Sequence, residues 1–181
     1  MKKTLRIMVA AMLALAMFAC GGKEQKLTQD DLRAAQATLF NEDRTVNEAV
    51  APEVAKKFCK FVEQNPDDTT AAQWLYHAME INVMLKNAEK SAEICDQLTT
   101  NYSESVWAPM SLFLLGSYVY SDQLNDTAQA HAMFQRLIDE YPESELVDDA
   151  QKSIEYLGLT PEEIMARIMM QDMEEQGAFE E

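Results

Sequence analysis

Residues 130–144 read AHAMFQRLIDEYPES, an amphipathic run closed by a proline turn, and two earlier stretches carry the same pattern. Phe58, Cys95 and Phe134 stand 37 and then 39 residues apart, and the same offsets superpose other positions. Ala55 maps on Ala92 and His131, Phe61 on Leu98 and Leu137, Val62 on Thr99 and Ile138, and Pro66 on Ser103 and Pro142. Each unit ends alike, in Glu63-Gln64-Asn65-Pro66-Asp67, Thr100-Asn101-Tyr102-Ser103-Glu104 and Glu140-Tyr141-Pro142-Glu143-Ser144. A period in this range predicts stacked helical hairpins, because one pair of helices cannot bury its apolar faces alone. The expected fold is all-α, with three to four hairpins in a short right-handed solenoid and a helix at its C-terminal end.

Caps and periodicity place the helices. Thr28 with Asp31 forms a capping-box pattern that opens a helix through Leu32, Ala35 and Leu39, followed by a polar connection over 41–47. A second helix is expected over 48–64, with Pro52 near its start and Val54, Ala55, Phe58, Phe61 and Val62 on its buried side. The next hairpin spans 70–85 and 88–100 and turns at Lys86-Asn87, with Trp74, Leu75, Ala78 and Ile81 inward. The third begins after Ser105, carries Ala108, Leu112, Leu115, Gly116 and Val119, turns over 121–126, and returns through Ala130, Phe134, Leu137 and Ile138. A further helix over 145–157 ends at Gly158, a left-handed cap. Thr160-Pro161-Glu162-Glu163 then starts a last helix over 160–175. That helix holds Ile164, Met165, Ile168, Met169, Met170 and Met173 and is read as capping the stack or docking a partner; 176–181 is an acidic tail.

Leu112, Leu115 and Gly116 in the first helix of the third hairpin, with Ala130, Phe134 and Pro142 in the second, resemble the signature of tetratricopeptide repeats; Val119 stands where Tyr is usual. The stretch 130–157, AHAMFQRLIDEYPESELVDDAQKSIEYL, is similar to the long repeats of the BamD-like lipoproteins of the outer-membrane barrel-assembly machine, and to the repeat domain of the CpoB-like Tol-Pal coordinators. The resemblance covers 28–159. The usual period is shorter by about three to five residues, and the excess is assigned to longer inter-repeat turns and a longer hairpin around 121–126. The resemblance implies a non-catalytic scaffold that binds protein partners in envelope assembly. The alternative is a Tol-Pal or peptidoglycan-linked coordinator, or a surface-exposed ligand-capture module.

Lys2, Lys3 and Arg6 precede an apolar run over 7–18, then Ala19 and Cys20, which is a secretory signal layout over 1–19. The run is shorter than the roughly 20 residues that span a bilayer. Cys20 followed by Gly21-Gly22 resembles the lipobox of bacterial lipoproteins, in which the cysteine is lipidated and becomes the mature N-terminus; Met17 stands where Leu is favoured. An ordinary cleaved signal ending in Cys is the alternative. Residues 20–27 form a polar tether. By resemblance to the sorting pattern of enteric bacteria, Gly21 in place of Asp implies the outer membrane, with the periplasmic face favoured over the cell surface.

After the signal, 162 residues carry 12 Lys and Arg against 31 Asp and Glu, a formal charge of −19 that makes nucleic acid and anionic lipid poor partners. Cys59 and Cys95 sit in a compartment that permits disulfides, and a bridge between them is open, although Phe58 rather than Cys59 matches Cys95 in register. His77 and His131 lie on different hairpins without ligands at metal spacing, and His131 maps onto two alanines that pack helices. Neither a phosphate-cradling glycine loop nor a paired acid and base in a cleft is evident. No cofactor, no metal and no enzymatic activity are expected.

Helical repeats usually line a groove with the first helix of each hairpin. The offsets project two columns there, Tyr76–Phe113–Lys152 and Glu80–Ser117–Tyr156, with Met110 and Tyr120 beside them. Aromatic residues in such a groove suit an extended peptide or a partner helix, whereas for Tyr76 and Phe113 packing between helices is an equal reading.

Overall fold

A computed structural model describes residues 26–177. The expected signal segment, Cys20 with its expected lipidation, most of the expected tether and the end of the tail lie outside the described residues. Helix α1 (Gln29–Gln36) starts from a reciprocal cap: Asp31 N donates to Thr28 Oγ1 at 3.3 Å and Thr28 N to Asp31 Oδ2 at 2.8 Å. Helix α2 (Ala51–Gln64) starts three residues later than expected, with Pro52 in its first turn, where a missing N–H costs nothing. Helices α3 (Ala71–Met84) and α4 (Ala88–Asn101) form the next hairpin. Helix α5 (Trp107–Leu114) continues as a π-helix over Leu115–Gln123 and returns as α6 (Thr127–Glu140). Helix α7 (Val147–Tyr156) ends at Gly158, whose φ of 77° is the left-handed cap, and α8 (Pro161–Gly177) opens on the Thr160–Glu163 box.

The internal register is written in the backbone. Asn65, Tyr102 and Tyr141 end α2, α4 and α6 in one conformation, with φ of −141°, −133° and −131°. Each starts the same chain of turns: Asp68 N to Asn65 O and Ala71 N to Asp68 O, then Ser105 to Tyr102 and Ala108 to Ser105, then Ser144 to Tyr141 and Val147 to Ser144. Inside the hairpins, Lys86 and Asn125 both take positive φ, and the next residues, Asn87 and Asp126, cap α4 and α6 through their side chains.

These matched turns locate the excess length of the third hairpin. Ala71 to Lys86 is a step of 15 residues and Ala108 to Asn125 a step of 17, whereas Lys86 to Tyr102 and Asn125 to Tyr141 are both 16. The two extra residues therefore lie in the first helix and are absorbed by the π-helix, which widens its turns instead of lengthening the loop. The expectation of a turn over 121–126 is corrected accordingly: helix runs through Gln123, whose Nε2 donates to Val83 O of α3 at 2.9 Å.

Packing follows the same register. Consecutive helices from α1 to α7 contact one another, and α3 also touches α5. Phe58, Cys95 and Phe134 are all fully buried, as are Phe61, Leu98 and Leu137. The hairpins are also tied by polar bridges: Arg136 donates to Thr99 Oγ1 at 3.0 Å, and Tyr102 Oη to Pro66 O at 3.2 Å. One position departs from expectation, because His131 is exposed while its counterpart Ala55 is buried. On α6 that position looks to solvent, so the helix-packing role expected of His131 does not hold. Cys59 and Cys95 are free thiols; Cys95 sits in the core, its Sγ 3.3 Å from Ser111 Oγ, which itself donates to Ala108 O. The bridge left open by the sequence is not formed.

Gly116 is required by this packing. A Cβ built there would lie 2.9 Å from Cε1 of the buried Phe134 ring. Gly116→Val is expected to destabilise the chain by about 1–3 kcal/mol through overpacking, read as a lower melting temperature by roughly 2–4 °C per kcal/mol.

Candidate functional site

The projected columns do not form one groove. Helix α5 and its π-helical continuation stand as a ridge between two clefts. Leu114 and Tyr118 line one of them with Tyr76 and Glu80 of α3, and Phe113 and Ser117 line the other with Lys152 and Tyr156 of α7. Met110 belongs elsewhere, in a space of about 870 Å³ between the turns at 103–106 and 140–146. Tyr120 is half-buried against the core, and burial, ahead of the Cys95, Asp96 and Asp126 charges, raises its hydroxyl pKa. The offsets assume equal helix geometry, and the π-helix breaks that assumption by turning successive side chains through smaller angles than an α-helix does.

The first cleft, about 560 Å³, has an aromatic floor. Tyr76 is buried and its ring lies 5.0 Å from that of Trp107; His77 sits 5.9 Å from Trp107 and 5.7 Å from Trp74. His77 Nδ1 is 2.7 Å from Glu80 Oε2, one turn along the same helix, which fixes the imidazole against the rings. Around this floor stand three large apolar side chains in solvent: Phe40 is 51 % exposed, Met84 41 % and Tyr118 53 %. Isolated exposed apolar residues need no explanation, but a group of them rimming one concavity makes it a candidate interaction site.

Phe40, Met84 and Tyr118 were not among the residues that the sequence singled out. Phe40 follows α1 at the edge of a connection read as polar, held there by a backbone bridge to Val46. Tyr118 had no sequence signal at all. Its counterpart in the preceding hairpin is Ile81 or Met79, depending on which side of the two-residue insertion it is counted from, and both are buried. The wide turns of the π-helix bring Tyr118 out to the surface.

The second cleft, about 680 Å³, brings Phe113, Ser117, Lys152 and Tyr156 together as projected, but it is polar. The Lys152 ammonium shares it with Asp122 and Asp149, and Phe113 is half-buried, its ring 5.6 Å from Phe134. Phe113 and Tyr76 thus serve mainly in packing, and the first cleft is the better apolar receptor. Among the described residues no group of His, Cys, Asp or Glu has the arrangement to hold a metal ion, and no helix is long and apolar enough to cross a membrane.

Burial, followed by the Glu80 carboxylate and Tyr118, pushes the Tyr76 hydroxyl up to about 12. Burial pushes the Cys95 thiol up to about 11, opposed by its hydrogen bond to Ser111. Both groups keep their protons in the folded chain where the unfolded chain loses them, so their contribution is complete below the ordinary values of 10.0 for the Tyr76 hydroxyl and 9.0 for the Cys95 thiol. It is lost as pH rises through that range toward the folded values. Urea denaturation at pH 8, 9.5 and 11 is expected to show falling stability, with a shallower fall in Tyr76→Phe.

The family model described as tetratricopeptide repeat matches residues 110–144. That range contains Leu112, Leu115, Gly116, Val119, Ala130, Phe134 and Pro142, and takes in the π-helix, the hairpin turn and the turn after α6. No curated protein and no solved structure matches the chain. Over its described residues the chain is an all-helical repeat protein whose third hairpin matches the tetratricopeptide repeat model.

Proposed function

We propose that this chain is a non-catalytic adaptor that seats an apolar segment of a protein partner in the Phe40–Met84–Tyr118 cleft. We further propose that an acyl anchor on Cys20 holds it at the bacterial outer membrane, on the periplasmic face, in the service of envelope assembly as the BamD-like lipoproteins are. The observation that carries the adaptor reading is the rim itself, three exposed apolar side chains over a buried aromatic floor. An extended peptide or the apolar face of a helix would bury the rim side chains, while Glu80 supplies a polar group at the edge. His77 and Glu80 are read as a helix-face pair, with the imidazole packed beside the rings of Trp74, Tyr76 and Trp107.

The outer-membrane part of the reading is supported by the sequence at 1–22, where a basic start, an apolar run and Ala19-Cys20-Gly21-Gly22 follow in order. Anchoring raises the effective concentration of the cleft near envelope partners without any new contact. More than one acyl chain gives a stable attachment, at about 0.8 kcal/mol per buried methylene.

The test is crosslinking and recovery of the lipidated protein from intact cells, beside Cys20→Ala and the pair Phe40→Ala/Tyr118→Ala. Barrel-assembly proteins are expected with the native chain, and at least about tenfold less with the cleft pair, as for loss of central anchors. The pair should melt within about 1 °C of the native chain, because surface truncations cost little. Tyr76→Ala, by contrast, should lower the melting temperature by several degrees. Undiminished recovery with the cleft pair sinks the cleft; recovery of Tol-Pal or peptidoglycan-linked proteins instead moves the role to the coordinator class.

A further inference from the structure

We infer that the outward face of α8 is a second docking surface, separate from the cleft, and that its occupant is a cationic amphipathic helix of a protein partner. The orientation of α8 follows from its few ties to α7. Arg167 Nη1 donates to Glu155 O at 2.6 Å, Tyr156 Oη donates to Gln171 Oε1 at 3.3 Å, and Ile164 and Gln171 are half-buried. Positions 164, 167 and 171 therefore mark the inner side of the helix, at the i, i+3, i+7 spacing of one face. Met165, Met169, Met170 and Met173 lie away from it and are 55–72 % exposed.

Four large thioether side chains exposed on one helix form an apolar surface left in contact with water. They offer flexible, polarizable contact area of the kind that re-packs around a partner. From Met165 to Met173 the stripe is about 12 Å long at 1.5 Å per residue, which matches a partner helix of two to three turns.

Charge selects the occupant. Glu162, Glu163 and Asp172 are exposed around the methionines, and the one cation of residues 161–173, Arg167, is turned to the Glu155 carbonyl. Lipid-surface helices flank their apolar face with Lys and Arg, the opposite arrangement. A second copy of this chain would bring the same acids against one another, and like charges across an interface oppose association. An apolar face flanked by Lys or Arg satisfies both features at once.

The test uses the full chain and two labelled 18-residue peptides of one helical pattern, Leu/Lys and Leu/Glu, followed by fluorescence anisotropy. The Leu/Lys peptide is expected to bind and the Leu/Glu peptide not to, with affinity falling as salt rises. Met165→Gln/Met169→Gln/Met170→Gln/Met173→Gln keeps helix propensity and near-equal volume, and should weaken binding at least about tenfold. Phe40→Ala/Tyr118→Ala should leave it unchanged, which separates this face from the cleft. Glu162→Lys/Asp172→Lys should move the preference toward the Leu/Glu peptide. The proposal is overturned by failure of the Leu/Lys peptide to bind, or by equal affinity in the methionine variant. It is also overturned by a methionine-dependent dimer in sedimentation or methionine-dependent binding to phosphatidylcholine vesicles, which would assign the face to a second copy or to lipid.

Discussion

An amphipathic helical hairpin has more apolar surface than its two helices can cover between them, so each hairpin here is completed by the next. The line of Phe58, Cys95 and Phe134, one buried side chain from the second helix of each unit, is where that dependence is concentrated. The first helix of a unit must come close enough to seat this side chain, which is why Gly116 lies against the Phe134 ring with no room for a Cβ. Identical turns after α2, α4 and α6 then set each hairpin on the last at a repeated angle of chain entry. Burial, turn geometry and small-residue placement all express one constraint.

That constraint also explains where an irregularity of the third hairpin is accommodated. Two extra residues in the first helix of the third hairpin could have lengthened its loop, yet Asn125 and Asp126 keep the turn and cap geometry of Lys86 and Asn87. With both ends of the helix pinned by stacking, the insertion is taken up inside it as π-helical turns, with Gln123 tied to the Val83 carbonyl. The consequence is a displaced Tyr118. A residue whose counterparts are core becomes the rim of an aromatic cleft.

The chain thus divides its surface. The two clefts flank the α5 ridge and depend on the rigid stack for their shape. Helix α8 makes few contacts with that stack and presents methionines amid acids. The proposed receptor cleft and the proposed docking helix, one rigid and one adaptable, suit a protein that brings two partners together.

The residues themselves determined the repeat, the all-helical class, the capping boxes at Thr28 and Thr160, the left-handed stop at Gly158 and the burial of Phe58, Cys95 and Phe134. All of these follow from short-range rules: side-chain spacing, cap chemistry and the sign of φ. The candidate site was legible only in part. Projection by fixed offsets brought Phe113, Ser117, Lys152 and Tyr156 together correctly, but it placed Tyr76 and Glu80 in the same groove and passed over Phe40, Met84 and Tyr118. The exposure of His131 at a position matched to alanines was equally out of reach, because burial depends on which neighbour a face meets. Where a two-residue insertion goes is decided by the stacking of hairpins at both ends of a helix, and that is a property of the folded chain.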